Sequence, residues 1–314
     1  MAALGCHSFR RGKSVMWKNK KFEISEPVLG YLLVTPALLC IILINIYPVF
    51  ETFRLSLFHM RLQLIGLTKF VGLQNYTILF SDGRFWAATL NTFYFTVISV
   101  ALELVVGMTM ALLMNKRFRA TGLIRAAVLV PWAIPTIVSA LMWKFIYNDQ
   151  FGVLNDILMK LGLIESYRSW LGTPASAMGA AIFADVWKTS PFMALILLAG
   201  LQTIPEELYE AARVDGAGSV RQFFSITLPL LKPTILVALI FRTLDAFRVF
   251  DLIFVLTGGG PGNSTETLSI YAYKTLFRNL DFGLGSAISV VIFIFVFILA
   301  MLYIRMMDKN TILR

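Results

Sequence analysis

The sequence predicts an all-α membrane protein with six transmembrane helices, and three observations support this fold class. Hydrophobic residues make up 58% of the 314 residues, charged residues only 15%, and mean hydropathy is +0.75. Soluble chains are about half apolar and about a quarter charged. The apolar residues form long runs rather than a periodic pattern, which argues against a soluble protein with an oversized core. Each run is near the ~20 residues with which a helix crosses a bilayer.

The chain divides into a basic tail at residues 1–27, a transmembrane domain at 28–305 and a short tail at 306–314. We do not expect the first tail to belong to a secretory signal, because the apolar run that follows is too long and lacks a cleavage site of small residues. Within the transmembrane domain the apolar runs predict helices at 28–50, 87–113, 123–147, 176–201, 231–257 and 283–305.

The positions of Lys and Arg predict the orientation of these helices. Basic residues concentrate in the first tail, in the second connection (Lys116, Arg117, Arg119, Arg125) and near the C-terminus (Arg305, Lys309, Arg314). Cytoplasmic segments carry such an excess. We therefore expect both termini to be cytoplasmic. This flanking pattern also explains the net charge of +10 without nucleic-acid binding.

Three segments are expected on the outer side. Residues 51–86 mix aromatic and polar groups and predict amphipathic pieces along the surface. Residues 148–175 contain several glycines and Pro174, which are typical of a compact loop with short helices. Residues 258–264, with the sequence GGGPGNS, predict a flexible turn.

The segment 203–230, between the fourth and fifth predicted helices, is a polar loop that contains the sequence EAARVDGAGSVRQFFSITLP. Thr203 and Glu206 have capping-box spacing, and Gly216 can adopt the left-handed conformation that ends a helix. A second short helix is expected from Ser219 to about Ser225. Such a helix pair either docks onto a partner protein or lies at the lipid headgroups.

Several motifs resemble one transporter family. Glu210-Ala211-Ala212, Gly216 and Ile226-x-Leu228-Pro229 resemble the EAA signature of the membrane subunits of ABC importers. Residues 70–305 resemble the MalF-type permease of carbohydrate ABC importers, close in layout to the trehalose/maltose type. The matching motifs are Phe70-Val71-Gly72-Leu73 with Asn75-Tyr76, Pro131-Trp132-Ala133-Ile134-Pro135, Trp187 with Pro191-Phe192, Leu201-Gln202 with Ile204-Pro205, and Thr257-Gly258-Gly259-Gly260-Pro261.

The resemblance implies a type I ABC importer permease core in a prokaryotic cell membrane. The implied partners are a second, MalG-like permease, two ATPase subunits and an extracytoplasmic solute-binding protein. The chain itself would bind no cofactor, and ATP and Mg would belong to the ATPase. The implied docking residues are Glu210, Ala211, Ala212, Asp215 and Gly216. The implied cargo is a di- or oligosaccharide, imported by alternating access.

The fifth predicted helix contains four ionisable residues, Arg242, Asp245, Arg248 and Asp251. Such groups are costly in a membrane and normally face a cavity or a partner. Helical spacing places Arg242, Asp245, Ala246 and Val249 on one face and allows Asp245, Arg248 and Asp251 to pair. The four charges either form a self-neutralising ladder or line the substrate path.

The resemblance favours the substrate path. It adds Lys188, Thr189 and Phe192 on the fourth helix to Arg242, Asp245, Ala246 and Val249 on the fifth, and we include Arg248 and Asp251 in the same predicted path. Phe192, Phe247 and Phe250 could stack on sugar rings. Glu103 and Asp185 are further candidates for the cavity or for pairing between helices.

Other functions fit the sequence less well. Gly12-Lys13-Ser14 lacks the first glycine of a phosphate-binding loop, and Cys6 and Cys40 are expected to be free thiols without a metal. No catalytic residue is predicted. A glycerol-3-phosphate or glycerophosphodiester permease remains an alternative because of the arginines. A proton-coupled secondary transporter is a second alternative, but it would not need an ATPase-docking loop.

Overall fold

The computed structural model describes residues 25–62, 68–116 and 121–311, without the side chains at 26, 27, 121 and 308–311. Most of the basic tail, together with Cys6, Arg117, Arg119 and Arg314, lies outside the described residues, as does the side chain of Lys309. The chain forms two compact units, one up to Phe50 and one from Glu51 onward.

The described part of the first unit is helical. Helix α1 (Glu26–Ile41) continues through a π-helical turn at Ile42–Ile46 into α2 (Tyr47–Ser56), which ends in the second unit. The continuous helical run Val28–Ser56 is apolar and long enough to cross a membrane, and it extends beyond the predicted end at residue 50. Its large apolar side chains are exposed, as lipid-facing side chains would be.

The segment after α2 adds a small sheet that the all-α prediction did not include. Strands β1 (Phe58–His59) and β2 (Lys69–Phe70) pair antiparallel and are followed by α3 (Gln74–Ser81). The buried Asn75 amide donates hydrogen bonds to the Ser56 and Phe58 carbonyl oxygens, which fixes α3 against β1. Helix α4 (Gly83–Asn115) follows and contains the predicted second span.

The third predicted span, 123–147, is wrong as a single straight helix. Helices α5 (Thr121–Ala133) and α6 (Thr136–Ile146) are separated by a bend of 92°. Pro135 has no amide hydrogen to donate, and a proline disfavours helical geometry in the residue before it, here Ile134. The two prolines of the PWAIP sequence, Pro131 and Pro135, therefore bracket the bend.

Helix α7 (Val153–Lys160) belongs to the outer segment, where we predicted short helices. The buried Asn155 side chain holds this segment together, because its amide bonds to the Asn148 and Arg168 backbones and to the Trp170 indole. Helix α8 (Pro174–Leu201) packs closely along α4. A Cβ on Gly107 of α4 would lie 2.7 Å from Met193 Cγ, so this close approach requires glycine.

The polar loop contains α9 (Glu206–Val214) and then α10 (Ser219–Gln222). A π-helical turn at Phe223–Thr227 joins α10 to α11 (Leu228–Phe247), so the helical run Ser219–Phe247 is continuous. The predicted fifth helix therefore starts much earlier than residue 231, and the predicted short helix from Ser219 is its first part.

The fifth helix also ends earlier than predicted. It stops at Phe247, and α12 (Asp251–Leu256) starts after a break of three residues. Arg248 Nε donates to the Leu244 carbonyl oxygen and so satisfies one of the last carbonyls of α11. Val249, predicted to extend the face of Arg242, therefore lies beyond the end of the helix.

The last segment contains α13 (Leu268–Tyr273), a π-helical turn at Lys274–Arg278 and α14 (Phe282–Thr311). The loop before α13, predicted as a flexible turn, has its own hydrogen bonds. The buried Thr265 bonds through its hydroxyl to Thr257 and to the Gly260 carbonyl oxygen. The membrane-length helices are thus five, plus the bent pair α5–α6, in the part of the chain that the structure describes.

Candidate functional site

A cavity of about 480 Å³ lies where α8, α11 and the bend between α5 and α6 meet. It contains all nine residues of the predicted substrate path. Its lining residues are Trp132, Thr136, Asp185, Lys188, Thr189, Phe192, Phe241, Arg242, Asp245, Ala246, Arg248, Val249, Phe250, Asp251 and Leu252. Three cationic side chains and three carboxylates are among them, so the lining carries no net formal charge.

Arg242 is the buried centre of a group of charges that we call the Arg242 cluster: Glu103, Asp185, Arg242 and Asp245. Its side chain is 3% exposed and forms ion pairs with all three carboxylates. Arg242 Nη2 lies 2.8 Å from Glu103 Oε1 and 3.3 Å from Asp185 Oδ2. The cluster therefore connects α4, α8 and α11. The sequence named Glu103 and Asp185 as candidates for pairing between helices but did not assign Arg242 as their shared partner.

The predicted pairing of Asp245, Arg248 and Asp251 is wrong. Asp245 pairs with Arg242, one turn earlier on α11. Arg248 bonds to a backbone carbonyl, and Asp251 starts a separate helix. Among the described residues no ion pair joins these three side chains. The break after Phe247 causes the difference, because the spacing rule holds only along one continuous helix.

Aromatic rings form another part of the cavity wall. Trp132 and Phe192 stack with their ring centroids 5.7 Å apart and an angle of 22° between the planes. Phe250 also lines the cavity, but Phe247 is fully buried in a separate apolar cluster and does not. The sequence did not place Trp132 or Thr136 here. The paired prolines around them were the available signal, since such pairs mark a bend.

The polar loop has the helix end that the sequence predicted and a different helix start. Gly216 has a φ of +76°, and the Gly216 and Ala217 amides bond back to the Arg213 and Ala212 carbonyl oxygens. These two bonds form a Schellman motif. The prediction of a capping box at Thr203 and Glu206 is wrong. Thr203 Oγ1 donates to the Gly200 carbonyl oxygen, and Pro205 is the N-cap residue of α9.

The surface of this loop exposes both polar and apolar side chains. Glu210 is 64% exposed and faces Arg213 at 3.9 Å, and Ala211, Asp215 and Gly216 are exposed while Ala212 is half-buried. Val214 and Val220 are 88% and 73% exposed, which the sequence did not single out. A second hollow of about 820 Å³ lies beside α9.

Helix α9 is tied to the helical run that reaches the cavity. The Tyr209 hydroxyl lies 2.9 Å from Thr227 Oγ1, and the Gln222 amide donates to the Ala217 carbonyl oxygen at 2.7 Å. Thr227 and Arg242 belong to the same continuous run, Ser219–Phe247. A displacement of α9 would therefore act directly on the helix that carries the cavity residues.

The chain matches known transport proteins. A family model described as "Binding-protein-dependent transport system inner membrane component" matches residues 103–312. The trehalose/maltose transport system permease protein MalF of Thermococcus litoralis is 49% identical over 288 residues, which cover 91% of this chain and 96% of that one. The trehalose transport system permease protein SugA of Mycobacterium tuberculosis is 40% identical over 298 residues, covering 95% and 94%.

A third relative and the solved structures widen this picture. The sulfoquinovosyl glycerol transport system permease protein SmoG of Agrobacterium fabrum is 44% identical over 283 residues, covering 90% and 91%. A chain of a bacterial alginate ABC transporter, solved with an alginate pentasaccharide-bound periplasmic protein, has a TM-score of 0.78 and 22% identity, covering 90% of this chain and 95% of that one. The structural match supports the type I importer fold predicted from the sequence.

Proposed function

Since the chain belongs to the family of binding-protein-dependent transport system inner membrane components, we propose that it is the permease subunit of an ATP-driven importer of a neutral di- or oligosaccharide. The relative MalF is named for the transport of trehalose and maltose, and the relative SugA is named for the transport of trehalose. The chain is a transport subunit and not an enzyme. It lies in the membrane as a multi-pass protein.

The observation that supports a saccharide best is the chemistry of the cavity. Carboxylates accept hydrogen bonds, and Lys and Arg donate them. The lining can therefore both donate hydrogen bonds to the hydroxyl groups of a sugar and accept hydrogen bonds from them. The stacked Trp132 and Phe192 supply an apolar face of the kind that sugar rings bind. The equal numbers of cations and carboxylates leave no surplus of positive charge for a phosphate ester.

A glycerol-3-phosphate or glycerophosphodiester permease is the second candidate. Lys188 and Arg248 favour it, because both line the cavity and neither has a carboxylate partner among the described ion pairs. Arg242 does not favour it, because three carboxylates already surround this guanidinium. A proton-coupled secondary transporter is disfavoured by the family, whose members depend on a binding protein.

The partners follow from the family and from the polar loop. A second permease would complete the translocation path, an extracytoplasmic binding protein would deliver the sugar, and two ATPase subunits would hold ATP and Mg. Glu210, Ala211, Ala212, Asp215 and Gly216 would form the surface that docks onto an ATPase. This assignment places the loop and both termini on the cytoplasmic side of a prokaryotic cell membrane.

The proposed mechanism is alternating access. Closure of the ATPases on ATP would move α9, and the contact between Tyr209 and Thr227 would transmit this movement to the run Ser219–Phe247. The Arg242 side of the cavity would then change its exposure between the two sides of the membrane. ATP and the loaded binding protein can drive this cycle only if each binds the two states with different affinity.

The proposal is tested by reconstituting the chain with its partner permease, ATPase and binding protein in proteoliposomes. We expect ATP-dependent import of trehalose or maltose and none of glycerol-3-phosphate. Import that continues without the ATPase would exclude an ATP-driven importer. Import of glycerol-3-phosphate alone would favour the second candidate.

Docking through α9 has its own test, the substitution Ala211→Gln. Glutamine is a good helix former, so α9 should fold, but its bulk should prevent the close approach of a partner. We expect co-purification of the ATPase and import to fall at least about tenfold, equivalent to about 1.4 kcal/mol of binding energy. The exposed Lys160→Gln on α7 serves as the control. Unchanged co-purification and import in Ala211→Gln would exclude α9 as the docking element.

A further inference from the structure

Glu103 is fully buried in α4 and does not line the cavity, yet it contacts two residues that do. Its carboxylate accepts hydrogen bonds from Arg242 Nε and Nη2. The Thr189 hydroxyl lies 2.8 Å from Glu103 Oε1 and 2.6 Å from the Asp185 carbonyl oxygen, and shares its one proton between them. One carboxylate behind the wall thus holds side chains from α8 and α11.

The two bonds from Arg242 to Glu103 fix the plane of the guanidinium group. A bidentate pair of this kind restricts orientation as well as distance. With Nε and Nη2 held by Glu103, the remaining edge of the group carries Nη1, which donates to Asp245. The Asp245 side chain is 70% exposed, and Asp245 lines the cavity. Arg242 Nη2 also contacts Asp185, whose side chain is 11% exposed, so the Nη1 contact with Asp245 is the more accessible of the two to a bound molecule.

We propose that Glu103 is a positioning residue for transport, which orients the Arg242 guanidinium so that Nη1 faces the hydroxyl groups of a saccharide and which fixes the Thr189 hydroxyl by accepting its proton. This inference rests on the proposed function and adds a residue outside the predicted substrate path. A saccharide hydroxyl can accept from Arg242 Nη1 and donate to Asp245, and so enter between the two groups. Glu103 keeps Arg242 in place while Asp245 turns to the sugar.

The negative charge of Glu103 also sets the kind of cargo. It lies behind Arg242 and balances that cation before any ligand arrives. An anionic cargo would therefore gain little from Arg242, whereas neutral hydroxyl groups need only an oriented donor. Glu103 makes Arg242 a hydrogen-bond donor with a fixed direction rather than an anion site.

The test measures import per ATP hydrolysed in proteoliposomes that contain the full complex, with trehalose and maltose each saturating the binding protein. We expect Glu103→Gln to lower this ratio at least about tenfold, because Arg242 loses its orientation while binding-protein-stimulated hydrolysis continues. A lowered ratio cannot result from a simple loss of folded complex, because that loss would lower import and ATP hydrolysis together. Ser99→Ala, also buried on α4 with only a backbone hydrogen bond, should behave as wild type.

The double variant Glu103→Gln with Arg242→Gln distinguishes a positioning role of Glu103 from simple charge neutralisation. It also provides a test if Glu103→Gln alone does not fold. It removes the paired charges of Glu103 and Arg242 together and leaves Asp185 as the remaining buried charge, so the complex should be more stable than Arg242→Gln alone, but its ratio should stay as low as that of Arg242→Gln alone. A double variant that imports like wild type would overturn the positioning role, as would an unchanged ratio in a folded Glu103→Gln complex. A wild-type complex that imports neither sugar would instead overturn the proposed function.

Discussion

Two ionic clusters each include a residue of α4, Glu103 in one and Arg84 in the other, and they differ in whether the shared ion is a cation or a carboxylate. In the Arg242 cluster one cation lies among three carboxylates, and one of these, Asp245, is 70% exposed and lines the cavity. In the second cluster one carboxylate, Glu266, lies between Arg84 and Lys274 and is 1% exposed. We call the latter the Glu266 cluster. None of its members lines the cavity.

The two clusters differ in the role of their charges: the Glu266 cluster stabilises the fold, and the Arg242 cluster contributes to the proposed transport function. The Glu266 cluster fixes the loop before α13 against the start of α4, and the Asn91 amide reinforces it by donating to the Glu266 and Asn263 carbonyl oxygens. Arg84 also lies 5.0 Å from the Tyr271 ring. All these contacts are satisfied within the fold. The Arg242 cluster instead leaves one ion pair at the cavity surface, where a ligand can compete for it.

The largest expected effect on stability comes from Glu266→Gln. Removing the carboxylate leaves two cations close together, one of them nearly buried, and should lower the free energy of unfolding by about 3 kcal/mol. Import per ATP hydrolysed should stay unchanged in the complex that remains folded. The thermal midpoint and the transport ratio measure the two effects.

The control for Glu266→Gln is Asp156→Asn, which breaks the exposed pair with Lys160 on α7. Such surface pairs contribute about 0.5 kcal/mol or less, so its midpoint should hardly move. A fall in the transport ratio of Glu266→Gln at an unchanged midpoint would give the Glu266 cluster a functional role and end the contrast with the Arg242 cluster.

Asp245→Asn should have the opposite effects, a small change in stability and a clear fall in import per ATP hydrolysed. Its side chain is mostly exposed to the cavity, so solvent screening leaves the pair with Arg242 a small part in stability, about 0.5 kcal/mol or less. Import per ATP should fall severalfold, because asparagine accepts hydrogen bonds from a sugar with less strength than a carboxylate. Import at the wild-type ratio would mean that the exposed ion pair does not contact cargo.

The smallest expected effect is a pH dependence in the Glu266 cluster. Burial acts to raise the pKa of the Glu266 carboxyl, but hydrogen bonds and charge from Arg84 and Lys274 outweigh it and hold the pKa below its ordinary value. A lowered pKa stabilises the folded state above the ordinary value of about 4.3 and loses this contribution as the pH falls through the lowered value.

We therefore expect the difference in thermal midpoint between wild type and Glu266→Gln to be constant near neutral pH and to shrink below about pH 4. Midpoints measured in steps from pH 7 to pH 3 test this expectation. A difference that stays constant to pH 3 would show that the Glu266 charge contributes nothing to stability.

The sequence predicted the helices that are long and apolar throughout, and it was wrong where a local signal competed with hydropathy. Helix α8 starts within two residues of its predicted boundary and ends at it, because apolar length alone decides such a span. The bend between α5 and α6 was missed because hydropathy continues through Pro131 and Pro135. The break after Phe247 was missed because it depends on Arg248 and Thr267, which meet the backbone only in the folded chain.

The candidate cavity was predictable in its residues but not in its contacts. Family motifs identified Lys188, Thr189 and Arg242, and all three line the cavity. Trp132 was absent from the predicted path because a straight third helix would place it elsewhere. The sequence named Glu103 and Asp185 as candidates for pairing between helices, but it did not assign them to Arg242, since Glu103 is 139 positions away from that residue in the sequence.

The sequence by itself determined the membrane class, the family and the polar loop, because hydropathy, spacing and helix-ending signals are local properties of the chain. Gly216 ends α9 because of its own backbone freedom, and no distant contact is required. The tertiary structure decided which charges meet. Ionisable groups in a membrane take the partners that folding brings within reach, and for Arg242 these lie on three helices. That packing makes one ion pair accessible in the cavity and keeps the pairing with Glu103 behind it.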